Sequence, residues 1–286
     1  MKRFILLCFI IAASNIARAQ ITIQVSDEET KETIEFASIL LPEYKKSFVA
    51  DEHGKFLVDT NKYKLPLKVL VEQFGFEPKE ITLQNATSIY NVYLNPTSEL
   101  LREVIIPPKN AKIKERVFGR TSEGSGMIVG SFRNYHTENR YSGLEFGLIL
   151  NTNNKLKKVK KIHWHIREFT LAKAVYNLQF YEVKNGKPTN RIPHADINFT
   201  ITDKSKGWIV INTDDLDVYI DGTKKIAAIL KTQKVELKKD TEEGTLALNI
   251  GIPAVSNLAV GRDSQYEEWQ SGPANFPFYI TVDSYE

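Results

Sequence analysis

Three clusters in this sequence combine residue types that could do chemistry. The first is His163-Trp164-His165. In an extended segment alternate residues share a face, so the two imidazoles would stand side by side. Such a pair supplies two nitrogen ligands for a metal, with His194 or a carboxylate as a third. The opposing reading turns Ile162, Trp164 and Ile166 inward. It leaves both histidines on a solvated sheet face beside Lys161 and Arg167, whose charge repels a cation. The second cluster is the acidic run from Thr213 to Asp221. No cofactor is expected outright, but Asp214, Asp215, Asp217 and Asp221 offer the oxygen ligands that suit calcium. The glycine and terminal glutamate of an EF-hand loop are misplaced here, and a solvated turn between two strands is the alternative. The third cluster is Arg262 to Gly272, with Arg262, Tyr266 and Trp269 in a polar, irregular stretch. A ring that covers the apolar face of a sugar, beside groups that bond its hydroxyls, makes a glycan-binding surface. The same loop could instead fold its rings back onto the protein.

Catalysis finds less support. The sequence has no Gly-x-Ser-x-Gly elbow, no phosphate-binding glycine loop and no His-Glu-x-x-His. Glu267 and Glu268 are adjacent, so on a strand they would face opposite ways. No catalytic residue is nominated, and the expectation is a protein that is not an enzyme.

The elements that would position these clusters are strands. The chain has 12 Tyr and 15 Phe but 2 Met, and its apolar runs are rich in β-branched and aromatic residues. Ile21-Thr-Ile-Gln-Val25 alternates as a half-buried strand does. Further strands are expected over 34–41, 47–49, 55–58, 67–72, 80–83 and 89–94, with a tight turn at Asp51-Glu-His-Gly54 in which Gly54 takes a positive φ. Gly75, between Phe74 and Phe76, predicts a bulge or a close backbone approach. Strands every eight to twelve residues read as a small β-sandwich of up to seven strands. Leu100 to Ile106 is a candidate last strand. Pro107 to Val117, with two prolines and several cations, reads as a linker.

Residues 118–286 predict a second, larger sandwich of the jelly-roll kind. Its strands are expected over 126–132, 144–150, 159–167, 174–183, 197–201, 208–212, 225–231, 245–250 and 278–282. Asn185-Gly186 marks a hairpin and Asp221-Gly222 another turn. The fold class is thus all-β, with two β-sandwich domains. The domain expectation is a signal peptide over 1–19, a first sandwich over 20–106, a linker over 107–117 and the second sandwich over 118–286.

The start of the chain sets the expected compartment. Lys2 and Arg3 precede an apolar run from Phe4 to Ala13, and Ala17-Arg-Ala19 supplies the small residues of a cleavage site. The run is about half the roughly 20 apolar residues that span a bilayer. A cleaved secretory signal is expected, with the mature protein in the periplasm, at the outer membrane or secreted, and no transmembrane segment after cleavage. The full chain has 38 Lys+Arg against 35 Asp+Glu. Loss of Lys2, Arg3 and Arg18 would leave 35 against 35. A neutral mature chain argues against a nucleic-acid partner. Cys8, the single cysteine, lies in the signal, so disulfides and thiolate catalysis are excluded from the mature chain.

Several ordered motifs carry a resemblance. They are Thr33-Ile-Glu-Phe-Ala-Ser-Ile39, Val49-Ala-Asp-Glu-His-Gly-Lys-Phe56, Val69-Leu-Val-Glu-Gln-Phe-Gly-Phe-Glu-Pro78, Val92-Tyr-Leu-Asn-Pro96 and Leu101-Arg-Glu-Val-Ile-Ile106. Residues 21–106 resemble the carboxypeptidase-regulatory-like domain of exported Bacteroidetes proteins. The family's usual early glycine is replaced here by Ile23-Gln24. The resemblance implies a transthyretin-like sandwich without peptidase residues. In the second half, Leu178-Gln-Phe-Tyr-Glu-Val183, Asn185-Gly-Lys-Pro188, Gly207 to Asp214 and Ile226 to Leu230 are similar to galactose-binding-like sandwiches. Such domains are often attached to exported glycan-handling proteins. Together these readings predict a non-catalytic binding or assembly protein of the cell envelope, whose partner is a glycan or an envelope protein. The alternatives are a glycan-acting enzyme with its site in loops of the second domain, and a structural surface or adhesin subunit.

Overall fold

The computed structural model describes residues 20–84, 89–97, 107, 109–133 and 142–286. The expected signal at 1–19 and the expected strand at 100–106 lie outside the described residues. The described chain is built of strands and two short 3-10 turns, and none of its helices is long and apolar enough to cross a membrane.

The first seven strands are β1 (Gln20–Asp27), β2 (Ser38–Leu41), β3 (Lys46–Val49), β4 (Lys55–Asp59), β5 (Leu67–Glu72), β6 (Lys79–Leu83) and β7 (Ile89–Leu94). They form two sheets, β4–β1–β7 and β3–β2–β5–β6. The alternation seen in the sequence explains the sandwich. Ile21, Ile23 and Val25 of β1 and Val58 of β4 face Ile39, Leu41, Leu67, Val69 and Val71 of the other sheet, and all of these are buried. The Asp51 carboxylate accepts the backbone N–H groups of His53 and Lys55, which folds the β3–β4 turn. Gly54 takes φ +68°, and a Cβ there would meet Val25 O at 2.6 Å. That position therefore requires glycine.

The second half begins with β8 (Ile113–Arg120), β9 (Gly126–Arg133), β10 (Glu145–Asn151), β11 (Leu156–Ile166) and β12 (Glu168–Phe169). It continues with β13 (Lys173–Lys184), β14 (Lys187–Arg191), β15 (Ile197–Thr202), β16 (Gly207–Asn212) and β17 (Tyr219–Ile220). It closes with β18 (Lys225–Glu236), β19 (Glu243–Ile250), β20 (Ala259–Arg262), β21 (Gln270–Ser271) and β22 (Phe278–Tyr285). The large sheet runs β14–β13–β18–β10–β20–β21, with β15 also on β13. Opposite it lie β16–β11–β22–β8, with β17 on β11, and a short sheet β12–β19–β9. Trp164, Tyr176, Leu178, Phe180, Ile226, Ala228, Leu230 and Ile280 fill the space between them.

One expectation needs correction. Ile113–Arg120, whose first half falls within the expected linker over 107–117, is a strand paired with β22 over eight residues. Its charges obscured it: Lys114 and Arg116 are solvent-exposed, as expected, but stand on a strand and bind Glu286 at 2.6 Å each. Charged side chains are common on edge strands, where they discourage pairing with other chains.

The two sandwiches meet sheet to sheet. Ser38, Val49 and Glu72 lie in one cross-strand row on the outer face of the four-stranded sheet. This face lies against the outer face of the large sheet. The Ser142 hydroxyl accepts the Val49 N–H at 3.0 Å, Lys234 binds Glu52 at 2.7 Å, and Phe36 and Val49 pack on Val175.

Within the second core, the Lys157 side chain is fully buried and donates to the carbonyls of Asn153 at 2.8 Å and Lys155 at 2.6 Å. Burial lowers its pKa to about 8, against the opposing pull of Asp221. The unfolded chain keeps the ordinary, higher value, so between pH 8 and about 10.5 the unfolded state holds more protons and stability gained through this group rises with pH. The unfolding free energy of the native chain minus that of Lys157→Met is therefore expected to increase over this window in denaturant titrations. Parallel curves for the two proteins would contradict the buried-lysine account.

Candidate functional site

Where the sandwiches face each other they enclose a cleft of about 500 Å³. A second hollow of about 330 Å³ shares Gln73, Phe74, Phe76, Asp196 and Gln233 with it, so the two form one groove. The floor is the outer face of the large sheet. Strand register places Asn198, Asn177, Lys231, Glu145 and Arg262 directly opposite one another on β15, β13, β18, β10 and β20. Five polar side chains thus cross the sheet in one transverse row. Ser38, Glu72 and the loop from Gln73 to Pro78 form the roof. Gly75, expected at a bulge or close approach, sits in this loop with φ +98°.

The row is held by directed hydrogen bonds. Tyr181 OH donates to Gln179 Oε1 at 2.7 Å. Gln179 Nε2 donates to Asn177 Oδ1 at 2.7 Å, and Asn177 Nδ2 to Asn198 Oδ1 at 2.7 Å. Each amide is turned by the one before it, so the order of donors and acceptors along the floor is fixed. Arg191 binds Asp196 at 3.2 Å and lies 3.8 Å over the Phe74 ring, joining floor to roof. Burial lowers the Arg191 pKa, but a guanidinium keeps its charge. Arg262 Nε donates to Glu145, a pair almost out of contact with water. Burial is also the first cause of the raised pKa of Tyr181 and of the lowered pKa of Lys231.

The candidates from the sequence fall in different places. Arg262 lines the cleft. Its guanidinium covers the Trp269 ring at 4.2 Å, and Trp269 meets Tyr181 edge-on at 5.9 Å. Trp269 packs on the apolar patch of Ile149, Ala227, Ile229 and Val260 beside the polar row. Tyr266 stays exposed and is not among the lining residues. Arg262 and Trp269 pack together at one end of the cleft, and Tyr266 stands apart from them.

The acidic run gives no cation cage. Asp214 is bound by Lys160 at 2.8 Å and Asp217 by Lys158 at 2.8 Å, and the Lys160 bond holds the Asp214 carboxyl below its usual pKa. Asp221 acts on buried Lys157. Among the described residues no group of three or more His, Cys, Asp or Glu side chains is arranged to hold a metal. Of Asp214, Asp215, Asp217 and Asp221, the residues suggested for calcium, Asp214 and Asp217 are thus engaged by lysines of β11. His163 stacks on Tyr279 at 4.1 Å, and His165 meets Trp208 edge-on at 5.2 Å with Glu123 at 3.4 Å. Ile162, Trp164 and Ile166 do point inward, but His165 is buried rather than solvated. His194 is elsewhere, accepting the Phe180 N–H at 3.2 Å.

Sequence reasoning missed Asn177, Gln179, Arg191, Lys231 and Glu145. The signal available was the two-sided apolar character of Ile226-Ala-Ala-Ile-Leu230, which means that both faces of β18 are covered. A lysine ending such a run points to a polar site under cover.

Comparison with known proteins agrees for the first sandwich. Residues 21–106 match the family described as CarboxypepD_reg-like domain, so this stretch is a domain of that kind. The match stops there. No curated protein matches the sequence. Among solved structures, the chain is similar to a clostridial cysteine protease after propeptide cleavage, at 11% identity and a TM-score of 0.40 over 96% of this chain and 68% of that one. It is similar to the cysteine protease and lectin-like domains of a surface-layer-associated protein of Clostridium difficile, at 13% identity and a TM-score of 0.35, over 55% of this chain and 36% of that one. A candidate carbohydrate-binding protein from Bacteroides uniformis is similar at 11% identity and a TM-score of 0.22, over 90% of this chain and 97% of that one. At these scores nothing about function passes from those proteins to this one.

Removing one member of a buried ion pair strands the other, at a cost of about 3–5 kcal/mol. Glu145→Ala should lower stability by about this amount in chemical denaturation. Adding Arg262→Met to it should cost less than the sum of the two single changes. Additive effects would show that the pair does not act as a unit.

Proposed function

We propose that this chain is a non-catalytic, exported binding protein of the cell envelope and that its cleft takes a glycan. The observation that carries the reading is the transverse polar row. Planar amides and guanidinium groups at fixed positions suit the paired hydroxyls of a sugar, and the rings of Phe74 and Tyr181 offer apolar surface beside them. The cavity is large enough for a short oligosaccharide segment, within the usual size of small-molecule sites of about 300–1,000 Å³. Two of the three carboxylates lining the cleft, Glu145 and Asp196, are each engaged by an arginine, which supports a structural rather than a catalytic role for them. The export assignment rests on the basic, apolar and small-residue segments of residues 1–19.

The test is a glycan panel followed by calorimetry on the full chain. A saturable ligand is expected. Asn177→Ala and Gln179→Ala should each weaken it about tenfold or more, as loss of a buried hydrogen bond to ligand does. His163→Ala, on the opposite sheet, should leave affinity unchanged. A panel without a binder, or a binder indifferent to both amide changes, would remove the glycan reading and favour a protein partner.

A further inference from the structure

The charges of the cleft do not all find partners within it. Arg262 is paired with Glu145, and Arg191 with Asp196. Glu72 accepts from the neutral Gln265 side chain at 3.1 Å. Lys231 Nζ makes one hydrogen bond, to the Ser38 hydroxyl at 2.7 Å, and no ion pair with any described residue. An ammonium has three donors. Two of them are left in a cleft where burial disfavours the charge, where Arg191 and Arg262 disfavour it further, and where Glu145 and Glu72 only partly offset this. A cation in that position is stabilised by an anion that arrives from outside.

We propose that Lys231 seats the single negative charge of an acidic sugar unit, a uronate being the simplest case. The inference rests on the glycan reading above and names the class of glycan. Its geometry is the register of the floor: Asn177 stands directly across from Lys231 on the next strand. A carboxylate at the ammonium would thus place a neighbouring hydroxyl at the amide. The ligand carries one charge in the cleft rather than several. Glu72, Glu145 and Asp196 line the same cavity and balance Arg191, Arg262 and Lys231 in number, so a polyanion would meet as much repulsion as attraction. Ser38, which holds the lysine from the roof, gives way to the ligand or shares it.

The experiment compares uronate oligosaccharides with their methyl esters, which keep the sugar skeleton and lose the charge. Calorimetry on the full chain should find the acid bound at least about tenfold tighter than the ester, the usual scale of a charge-assisted contact. Lys231→Met should abolish that preference, so that acid and ester bind with the same affinity. Lys231→Gln repeats the test if the methionine variant folds poorly. Glu72→Gln should raise affinity for the acid and not for the ester. A monosulfated neutral oligomer reports whether sulfate serves as well as carboxylate, and a preference for either over the uncharged form supports the seat. Equal affinity for acid and ester in the native chain overturns the proposal and leaves the glycan reading standing. Failure of every sugar to bind overturns both. Capture of a peptide carboxylate through Lys231, with no sugar acid bound, overturns the sugar assignment.

Discussion

The covering of one sheet face by another holds this molecule together. The large sheet presents an apolar face to its own sandwich core, and its second face is also removed from water, at Asn177, Gln179 and Glu145 above all. Polar groups in such a place are costly unless they are bonded. The roof supplied by the first sandwich, through Ser38, Glu72 and the loop after β5, makes the floor a protected site rather than an ordinary wet surface. Without the roof the Tyr181–Gln179–Asn177–Asn198 chain of bonds would face solvent and compete with water at each link. With it, the chain sets the orientation of every amide in the cleft.

The division of labour between the two sandwiches follows from this. The first contributes a rigid cover with its own closed core. The second contributes the register that lines up five side chains from five strands. Floor and roof of the cleft thus come from different halves of the chain. In the acidic run of the second half, Asp214 and Asp217 pair with lysines of β11.

Much of the architecture was legible from alternation and turn residues. Every strand expected in the second half is present within a few residues, and the Gly54 and Asn185-Gly186 turns take the positive φ angles that their residue types allow. Ile113–Arg120 was hidden because an edge strand with Lys114, Glu115 and Arg116 reads like a spacer. The site was hidden for another reason. In the sequence Asn177 and Gln179 alternate with buried Tyr176, Leu178 and Phe180, the pattern of a half-exposed strand. Periodicity reports which residues share a face but not what covers that face. Arg262 was found because it ends β20 just before a loop with conspicuous rings, and its ion-pair partner is Glu145.

The pairing of β1 with β7 has a mechanical consequence. The two strands are parallel, with Thr22 opposite Ile89 and Asp27 opposite Leu94. The chain therefore enters the first sandwich at one end of this ladder and leaves it at the other. Tension applied between the two ends would pull the strands lengthwise past each other and load all their cross-strand hydrogen bonds together, instead of opening them one at a time as in a hairpin pulled from its open end. The cover over the cleft is thus also a tie that resists stretching along the chain.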